Sequence, residues 1–324
     1  EKILTSHHRS PIDLRKVKEE VAAASPKKRS GPSYLTVFAG NLALLKVALA
    51  AGIPKVIFGG ESFTTGFRWT RENLAAGVAL VRQAGAKAII ALPRITRERE
   101  KKAVASYIRI SHELQPDGFL LSHLGSIQMV RDLSDLPIYA NYTFHFFNPF
   151  TLKLLPQQGI AGLALSPELA KGEVFALVDS PLWREIEVEL LVFGSLELMI
   201  SQFCPIGAWV GGMKPRDCPR PCQQQCYFLR DRKNIDFPVM VDEFCRLHLL
   251  NSRYLSLLRE LETLREKRLS LRLELRHQDP EVAAKVIRLF QQGLAGRGGE
   301  ADQAALEALL DQKLTRGHFY RGVE

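Results

Sequence analysis

The chain has 324 residues, of which 46% are hydrophobic and 24% charged, and its formal net charge is +9. This is the mix of an ordinary globular protein that needs neither a metal nor disulfides merely to build a core. No apolar run approaches the roughly 20 residues that cross a bilayer, so the sequence predicts no membrane partner. The basic excess favours an anionic partner such as nucleic acid or a phosphorylated or carboxylated substrate, with solubility alone as the alternative.

The chain begins without a secretory signal, and its abrupt start at Glu1 predicts a cut inside a longer protein. Five cysteines, an odd number, accompany this lack of an export signal. We therefore expect reduced thiols and a cytoplasmic location.

Residues 1–33 are polar and basic, and they predict a linker with one short helix over residues 12–24. From residue 34 onward, short apolar runs alternate with helical patterns. Seven such runs predict strands, at residues 35–38, 56–58, 88–92, 118–121, 137–140, 162–165 and 188–193. Helices are predicted between several of them, at residues 42–51, 73–84 and 103–114.

Strands that alternate with helices at roughly 25-residue spacing indicate βαβ units and a parallel sheet. The strands are continuous apolar runs, as expected when both faces of a sheet are covered. Seven strands favour a complete or slightly degenerate (β/α)8 barrel of the TIM type over a small doubly wound sheet, and we assign it to residues 34–200.

Beyond the barrel, residues 201–252 are rich in Gly, Pro and Cys and predict a metal-organised region. Residues 253–276 are strongly charged with one stripe of leucines, which predicts a solvated helix or an RNA-tracking surface. Further helices are predicted at 280–291 and 301–314, so residues 253–324 form a predicted helical C-terminal part.

The cysteines are the strongest chemical signal. Their spacing is Cys204-x13-Cys218-x3-Cys222-x3-Cys226-x18-Cys245, in a loop punctuated by prolines. The C-x2-C knuckle of structural zinc sites is missing, whereas thiols at x3 intervals suit an iron–sulfur cluster. The spacing therefore favours a cluster, and zinc or free buried thiols remain the alternatives.

Catalytic side chains of such barrels lie at the C-terminal ends of the strands. Four polar residues that follow predicted strands are therefore candidate substrate contacts, namely Glu61, His123, Asn141 and His145. For each of them the alternative is a hydrogen-bonded rim residue without a chemical role. No Ser-His-Asp or H-E-x-x-H arrangement is traceable, which weakens a peptidase interpretation.

Several segments resemble one known family. They are residues 39–41 with 59–63, residues 189–205, residues 226–233, 237–238, 242–246 and 251–252, and the closing residues 317–323. The chain is similar over these segments to the collagenase-like peptidase family U32, and the cysteine block is the most specific part of the likeness.

The resemblance implies a (β/α)8-like barrel and a 4Fe–4S cluster held by four cysteines. It implies hydroxylation of a wobble uridine of tRNA, a cytidine of ribosomal RNA or the ubiquinone ring, with the RNA-modifying members linked to prephenate metabolism. It also places Glu168 at the barrel mouth. The peptidase name reflects collagenase-like activity for which no catalytic residues are agreed.

One position departs from the family pattern, because Glu197 stands where many members have a cysteine. The expected ligands, with Cys226 as the alternate, are Cys204, Cys218, Cys222 and Cys245. The sequence thus predicts an iron–sulfur protein that takes part in hydroxylating RNA or a related aromatic acceptor. The alternatives are a peptidase, or a non-catalytic cluster-binding subunit that works with a partner protein or a preceding domain.

Overall fold

The computed structural model describes residues 19, 31–63, 67–148, 151, 159–180, 186–210, 212 and 218–321. Apart from residue 19, the predicted helix at 12–24 lies outside them. The first half contains β1 Tyr34–Phe38, α1 Leu42–Ala50, β2 Lys55–Gly59, α2 Arg71–Gln83, β3 Lys87–Ala91, α3 Lys101–Glu113, β4 Gly118–Leu121, α4 Leu124–Arg131, β5 Ile138–Ala140, β6 Ile160–Ala164, α5 Lys171–Val178 and β7 Glu187–Ser201. The second half contains β8 Tyr227–Arg230, β9 Asp236–Val241, β10 Leu247–Ser256, α6 Leu261–Leu264, β11 Ser270–Glu274, α7 Pro280–Leu294 and α8 Glu300–Leu310.

Eight parallel strands close into a barrel. Strands β1 to β7 pair in chain order, and β11 pairs in parallel with both β7 and β1. Ser270 closes the ring, since it lies opposite Tyr34 on one side and Glu189 on the other. The predicted TIM-type barrel is confirmed, and all seven predicted strands belong to it.

Two apolar clusters hold the barrel together. The larger one fills the space between the sheet and the surrounding helices. The smaller one lies inside the barrel and consists of Phe38, Ile57, Ile89, Ala91 and Leu120. Because successive strand residues point to opposite faces, strands β1 to β4 contribute to both clusters, as their continuous apolar runs indicated.

Three of the helices begin at a polar side chain that accepts hydrogen bonds from free backbone N–H groups. Asn41 accepts a hydrogen bond from the amide of Leu44 at 2.9 Å and starts α1 directly after β1. Thr70 caps α2, and Asp279 caps α7, in which Pro280 is the first residue. The cap at Asn41 thus lies at the end of β1, where the barrel mouth begins.

The predicted helix over residues 253–276 is wrong. Its leucines divide among β10, the 3₁₀ turn Leu258–Glu260 and the short α6, and the stretch ends in β11. Along β11, Leu271 and Leu273 pack against the helices, whereas Arg272 points inward and pairs with Glu189. A strand with charges facing the barrel interior resembles a solvated helix in sequence, and the barrel therefore extends past the predicted boundary at residue 200.

An antiparallel extension stands beside the barrel. Strand β7 continues beyond the barrel and pairs with β10, which is followed by β9 and the edge strand β8. Strands β8 and β9 and part of β10 lie in the predicted cysteine-rich region, for which the sequence indicated no regular elements. Among the described residues, no helix is long and apolar enough to cross a membrane.

Candidate functional site

Polar side chains converge at the C-terminal ends of the barrel strands. Glu61, which follows β2, is buried, and its carboxylate accepts a hydrogen bond from the backbone amide of Arg94 after β3. Arg276, which follows β11, donates to Glu274 at 2.7 Å and lies 4.0 Å from Glu61. Burial alone would lower the pKa of Arg276, but Glu274 and Glu61 outweigh it and raise that pKa.

Glu197 lies on the part of β7 that leaves the barrel, and it anchors a buried charge network. Its carboxylate pairs with the guanidinium of Arg94 and accepts from His248 Nδ1 at 2.8 Å. The other ring nitrogen of His248 lies 3.4 Å from Asp242. Burial alone would raise the pKa of Glu197, but the hydrogen bond from His248 and the charge of Arg94 lower it to about 2.

Two of the predicted mouth residues, His123 and Asn141, contact polar side chains at the barrel mouth. His123 follows β4, and its Nε2 lies 3.2 Å from the hydroxyl of Thr96, while burial lowers its pKa. Asn141 follows β5 and is buried, and its oxygen accepts from Arg272 at 2.8 Å while its nitrogen donates to Ser122 at 3.2 Å. Asn141 therefore cross-links three barrel strands instead of offering a free amide.

The other two predicted mouth residues, His145 and Glu168, are exposed. His145 ends a 3₁₀ turn in the left-handed conformation with φ 53°, and its ring stacks on Phe147. Neither residue joins the buried network around Glu61 and Glu197.

Sequence reasoning missed five members of the mouth, namely Arg94, Asp242, His248, Arg276 and His277. Arg276 and His277 fell at the end of the wrongly predicted helix. Asp242 and His248 flank Cys245, and only the extension brings them to β7. The unusual Glu197 was the one signal in the sequence that marked this place.

A pocket opens between the ends of β1, β2 and β11 and strand β9, with about 680 Å³ of empty space including its opening to solvent. Its aromatic walls are Phe63, Phe67 and Trp69, and its polar side includes Arg276 and His277. Burial and the neighbouring Arg276 lower the pKa of His277 to about 3, which keeps this imidazole neutral. The pocket thus combines flat apolar walls with a few hydrogen-bonding groups.

The extension brings four of the five cysteines together. Cys204 follows β7, and its sulfur accepts from the amide of Gly207 at 3.4 Å. A methyl group on Gly207 would lie 3.4 Å from the sulfur of Cys218 and 3.7 Å from that of Cys204. Burial raises the pKa of the Cys204 thiol, and Cys222 and Cys218 are close enough to raise it further.

Cys245 belongs to the same group. Burial raises the pKa of its thiol, and Cys204 and Cys222 lie close enough to raise that pKa further. Cys226 is exposed, whereas the other four are half-buried. No group of three or more His, Cys, Asp or Glu side chains in the described ranges is arranged to hold a metal ion.

The turn that presents Cys245 is held firmly. The carboxylate of Asp242 accepts from the amides of Phe244 at 2.9 Å and Arg246 at 2.8 Å, and Cys245 adopts φ 59°. The buried guanidinium of Arg246 pairs with Glu100 at the start of α3. Strong side-chain support of this kind fixes the direction of the Cys245 side chain.

The same turn touches the barrel mouth. Phe63 and Asp242 form an isolated antiparallel bridge, and the amide of Glu243 donates to the carbonyl of Ser62 at 2.9 Å. The loop after β2 is therefore joined to the Cys245 turn, so the pocket and the cysteine group are neighbours.

Curated relatives of this chain are named for a modification of tRNA. The chain is 24% identical over 212 residues to "tRNA hydroxylation protein P" of Escherichia coli (strain K12), which covers 64% of this chain and 46% of the relative. It is 22% identical over 264 residues to the protein of the same name from Helicobacter pylori (strain J99), which covers 78% of this chain and 62% of the relative. The chain spans about half the length of the curated relatives it matches.

Two solved structures show weak likeness. The U32 peptidase Mk0906 has a TM-score of 0.41 at 13% identity, over 51% of this chain and 71% of that one. Dihydrodipicolinate synthase from Agrobacterium tumefaciens str. C58 has a TM-score of 0.43 at 14% identity, over 86% of this chain and 82% of that one.

A family model also matches most of this chain. The family model described as "Peptidase family U32" matches residues 40–322, which include the whole barrel from α1 onward and all five cysteines. The chain therefore belongs to peptidase family U32.

Proposed function

We propose that this chain takes part in the hydroxylation of tRNA and that Cys204, Cys218, Cys222 and Cys245 hold a 4Fe–4S cluster beside the barrel mouth. The observation that carries the proposal is the convergence of four half-buried thiols next to a polar barrel mouth. The names of the curated relatives supply the reaction and the acceptor class.

The residues fit an iron–sulfur cluster by the chemistry of their donors. All four converging groups are thiols, the ligand type that such clusters require. In a cubane each thiolate binds a different iron, so the sulfurs stand further apart than those around a single zinc ion. The amide of Gly207, which donates to the sulfur of Cys204, provides the kind of hydrogen bond that tunes a cluster.

A bound cluster would supply single electrons at the mouth. The protein residues have other tasks there. The half-buried His123 stays neutral at neutral pH because burial lowers its pKa, so it can accept a proton from a bound substrate. Arg94 stacks on the ring of Tyr142 at 4.9 Å and forms an ion pair with Glu197, and Arg276 forms one with Glu274. Because these pairs hold both guanidinium groups in place, the two arginines can orient a bound substrate.

The peptidase alternative has less support in the geometry. The most prominent buried histidine, His248, faces carboxylates with both ring nitrogens, Glu197 on one side and Asp242 on the other. A histidine in a hydrolytic triad must instead keep one nitrogen for the nucleophile.

Metal analysis tests the cluster. The chain is produced and purified without oxygen, and iron, acid-labile sulfide and visible absorption are measured. We expect a brown protein whose iron is lost in Cys204→Ser and in Cys245→Ser. Cys226→Ser is the matched control and should keep its iron, because Cys226 is exposed and outside the group. A colourless protein that contains zinc, or equal loss in the control, would contradict the proposal.

Mass spectrometry of nucleosides tests the reaction. A strain that lacks the complete protein should contain tRNA in which one nucleoside has lost an oxygen atom, and the wild-type protein should restore it. His123→Ala should restore it poorly while it retains the iron content of the wild type. Normal tRNA in the deletion strain would refute the proposed reaction, whatever metal the protein holds.

A further inference from the structure

The pocket beside the Cys245 turn has the walls of a stacking site. The ring of Phe63 meets that of His277 edge to face at 4.6 Å, and Phe67 meets Trp69 in the same way at 4.9 Å. Trp69 in turn packs against Phe58 of β2, which fixes this wall to the barrel. Rigid aromatic walls favour a flat ring, because any base can stack on them whatever its identity.

The charges of the pocket favour a neutral ligand over an anion. Arg276 is its cationic group, and Glu274 and Glu61 already neutralise that charge. The guanidinium also stacks on Phe38 at 4.5 Å, which leaves it little freedom to turn toward a phosphate or carboxylate. His277 is uncharged at neutral pH, so its ring offers one donor and one acceptor.

The position of the pocket connects it to the proposed reaction. Phe63 forms the wall and also the backbone bridge to Asp242, three residues before Cys245. A ring held in the pocket would therefore lie next to the cysteine group. A base inside a stacked RNA cannot reach such a recess unless it is turned out of the stack.

We infer that this pocket binds a single uncharged nucleobase of RNA, turned out of its strand, between the aromatic wall of Phe63, Phe67 and Trp69 and the polar groups of Arg276 and His277. The inference rests on the proposed function for its ligand class and goes beyond it in naming the binding site.

Photo-crosslinking tests the site. The full chain is mixed with a short single-stranded RNA that carries one central 4-thiouridine, irradiated and digested, and the modified peptides are mapped by mass spectrometry. We expect modification of the peptides that contain Phe63, Phe67 or Trp69, and competition by free uridine.

Met240 provides a matched pair of variants, because its side chain lines the pocket from β9. Met240→Trp should fill the pocket and reduce the crosslink about tenfold, since loss of one stacked base weakens binding by roughly 5- to 150-fold. Met240→Ala leaves the pocket open and should crosslink as the wild type does. Circular dichroism of both variants shows whether the fold is kept.

Three outcomes would overturn the inference: no crosslink at all, a crosslink that Met240→Trp leaves unchanged in a folded protein, or a crosslink confined to the exposed Phe228 of β8 or Trp209. The failure of the proposed function looks different. If the protein holds no iron and does not hydroxylate tRNA but still crosslinks through the pocket, the proposed function fails and the base site stands. If it hydroxylates tRNA but crosslinks only elsewhere, the proposed function stands and the base site fails.

Discussion

His248 lies 2.8 Å from the carboxylate of Glu197, and both side chains are buried. On its other side the same ring faces Asp242 at 3.4 Å. Burial alone would lower the pKa of His248, but the carboxylates of Asp242 and Glu197 on either side of the ring raise it to about 9. A buried imidazolium therefore joins the end of β7 to the turn that carries Cys245.

This pair predicts a loss of stability at alkaline pH. The pKa of His248 is higher in the folded state than in the unfolded state, so its stabilisation is complete below pH ~6.5 and is lost as the pH rises through about 9. The shift corresponds to a loss on the order of 3 kcal/mol. Urea unfolding between about pH 6 and 10 measures it. In His248→Gln the change in unfolding free energy between these two pH values should shrink. An unchanged pH dependence would contradict the assignment to His248.

The barrel interior predicts strong coupling between Arg272 and Glu189. Both are buried, and Arg272 Nε donates to Glu189 at 2.6 Å. Arg272→Met leaves a buried carboxylate short of its main partner and should cost about 3–5 kcal/mol of unfolding free energy. Adding Glu189→Gln to this variant should recover at least ~1 kcal/mol. Denaturant unfolding of the single and double variants gives the coupling, and strict additivity would rule it out.

The backbone of Arg276 passes close to Gly40, whereas the space around Gly172 is open. Substitution by alanine is therefore expected to change stability in opposite directions at these two glycines. A Cβ atom on Gly40 would lie 2.1 Å from the carbonyl oxygen of Arg276, so Gly40→Ala must displace the mouth and should cost about 1–3 kcal/mol. Gly172 lies in α5 with open space around it, and Gly172→Ala should stabilise by roughly 0.5–1 kcal/mol. Thermal unfolding compares the two, and equal effects would show that the close approach does not matter.

The support of the Cys245 turn predicts a variant that loses iron without unfolding. Arg246→Met removes the pairs to Glu100 and Asp242, which loosens the turn, and we expect slower loading and faster loss of iron to a chelator. Arg230→Met is the control, because Arg230 forms its ion pair with Asp236 on the exposed hairpin. Identical iron release from the two variants would mean that the turn does not depend on Arg246. Unfolding curves separate this effect from general destabilisation.

Much of the barrel was readable from the sequence because its first seven strands are nearly uniform apolar runs. The eighth strand was not, since Arg272 and Glu274 interrupt it and the leucines before it have helical spacing. Strand β7 was predicted only to residue 193, because its later residues pair with β10 outside the barrel and no longer face two apolar layers. The hydrophobic pattern of a segment shows which of its faces are buried by nearby elements. Prediction from this pattern fails where a face is buried by segments distant in the chain.

The sequence by itself determined the parallel strand–helix alternation and the cysteine-rich block, because these are local properties of composition and spacing, whereas Glu197 was marked only by the resemblance to the family. Only the tertiary structure decided which polar residues share the mouth. His248, Arg94 and Glu197 are far apart in the chain, and β11 and the antiparallel extension bring their elements together. Charges that look solvated in sequence thus become buried partners, since the energy of an ion pair depends on what folds around it.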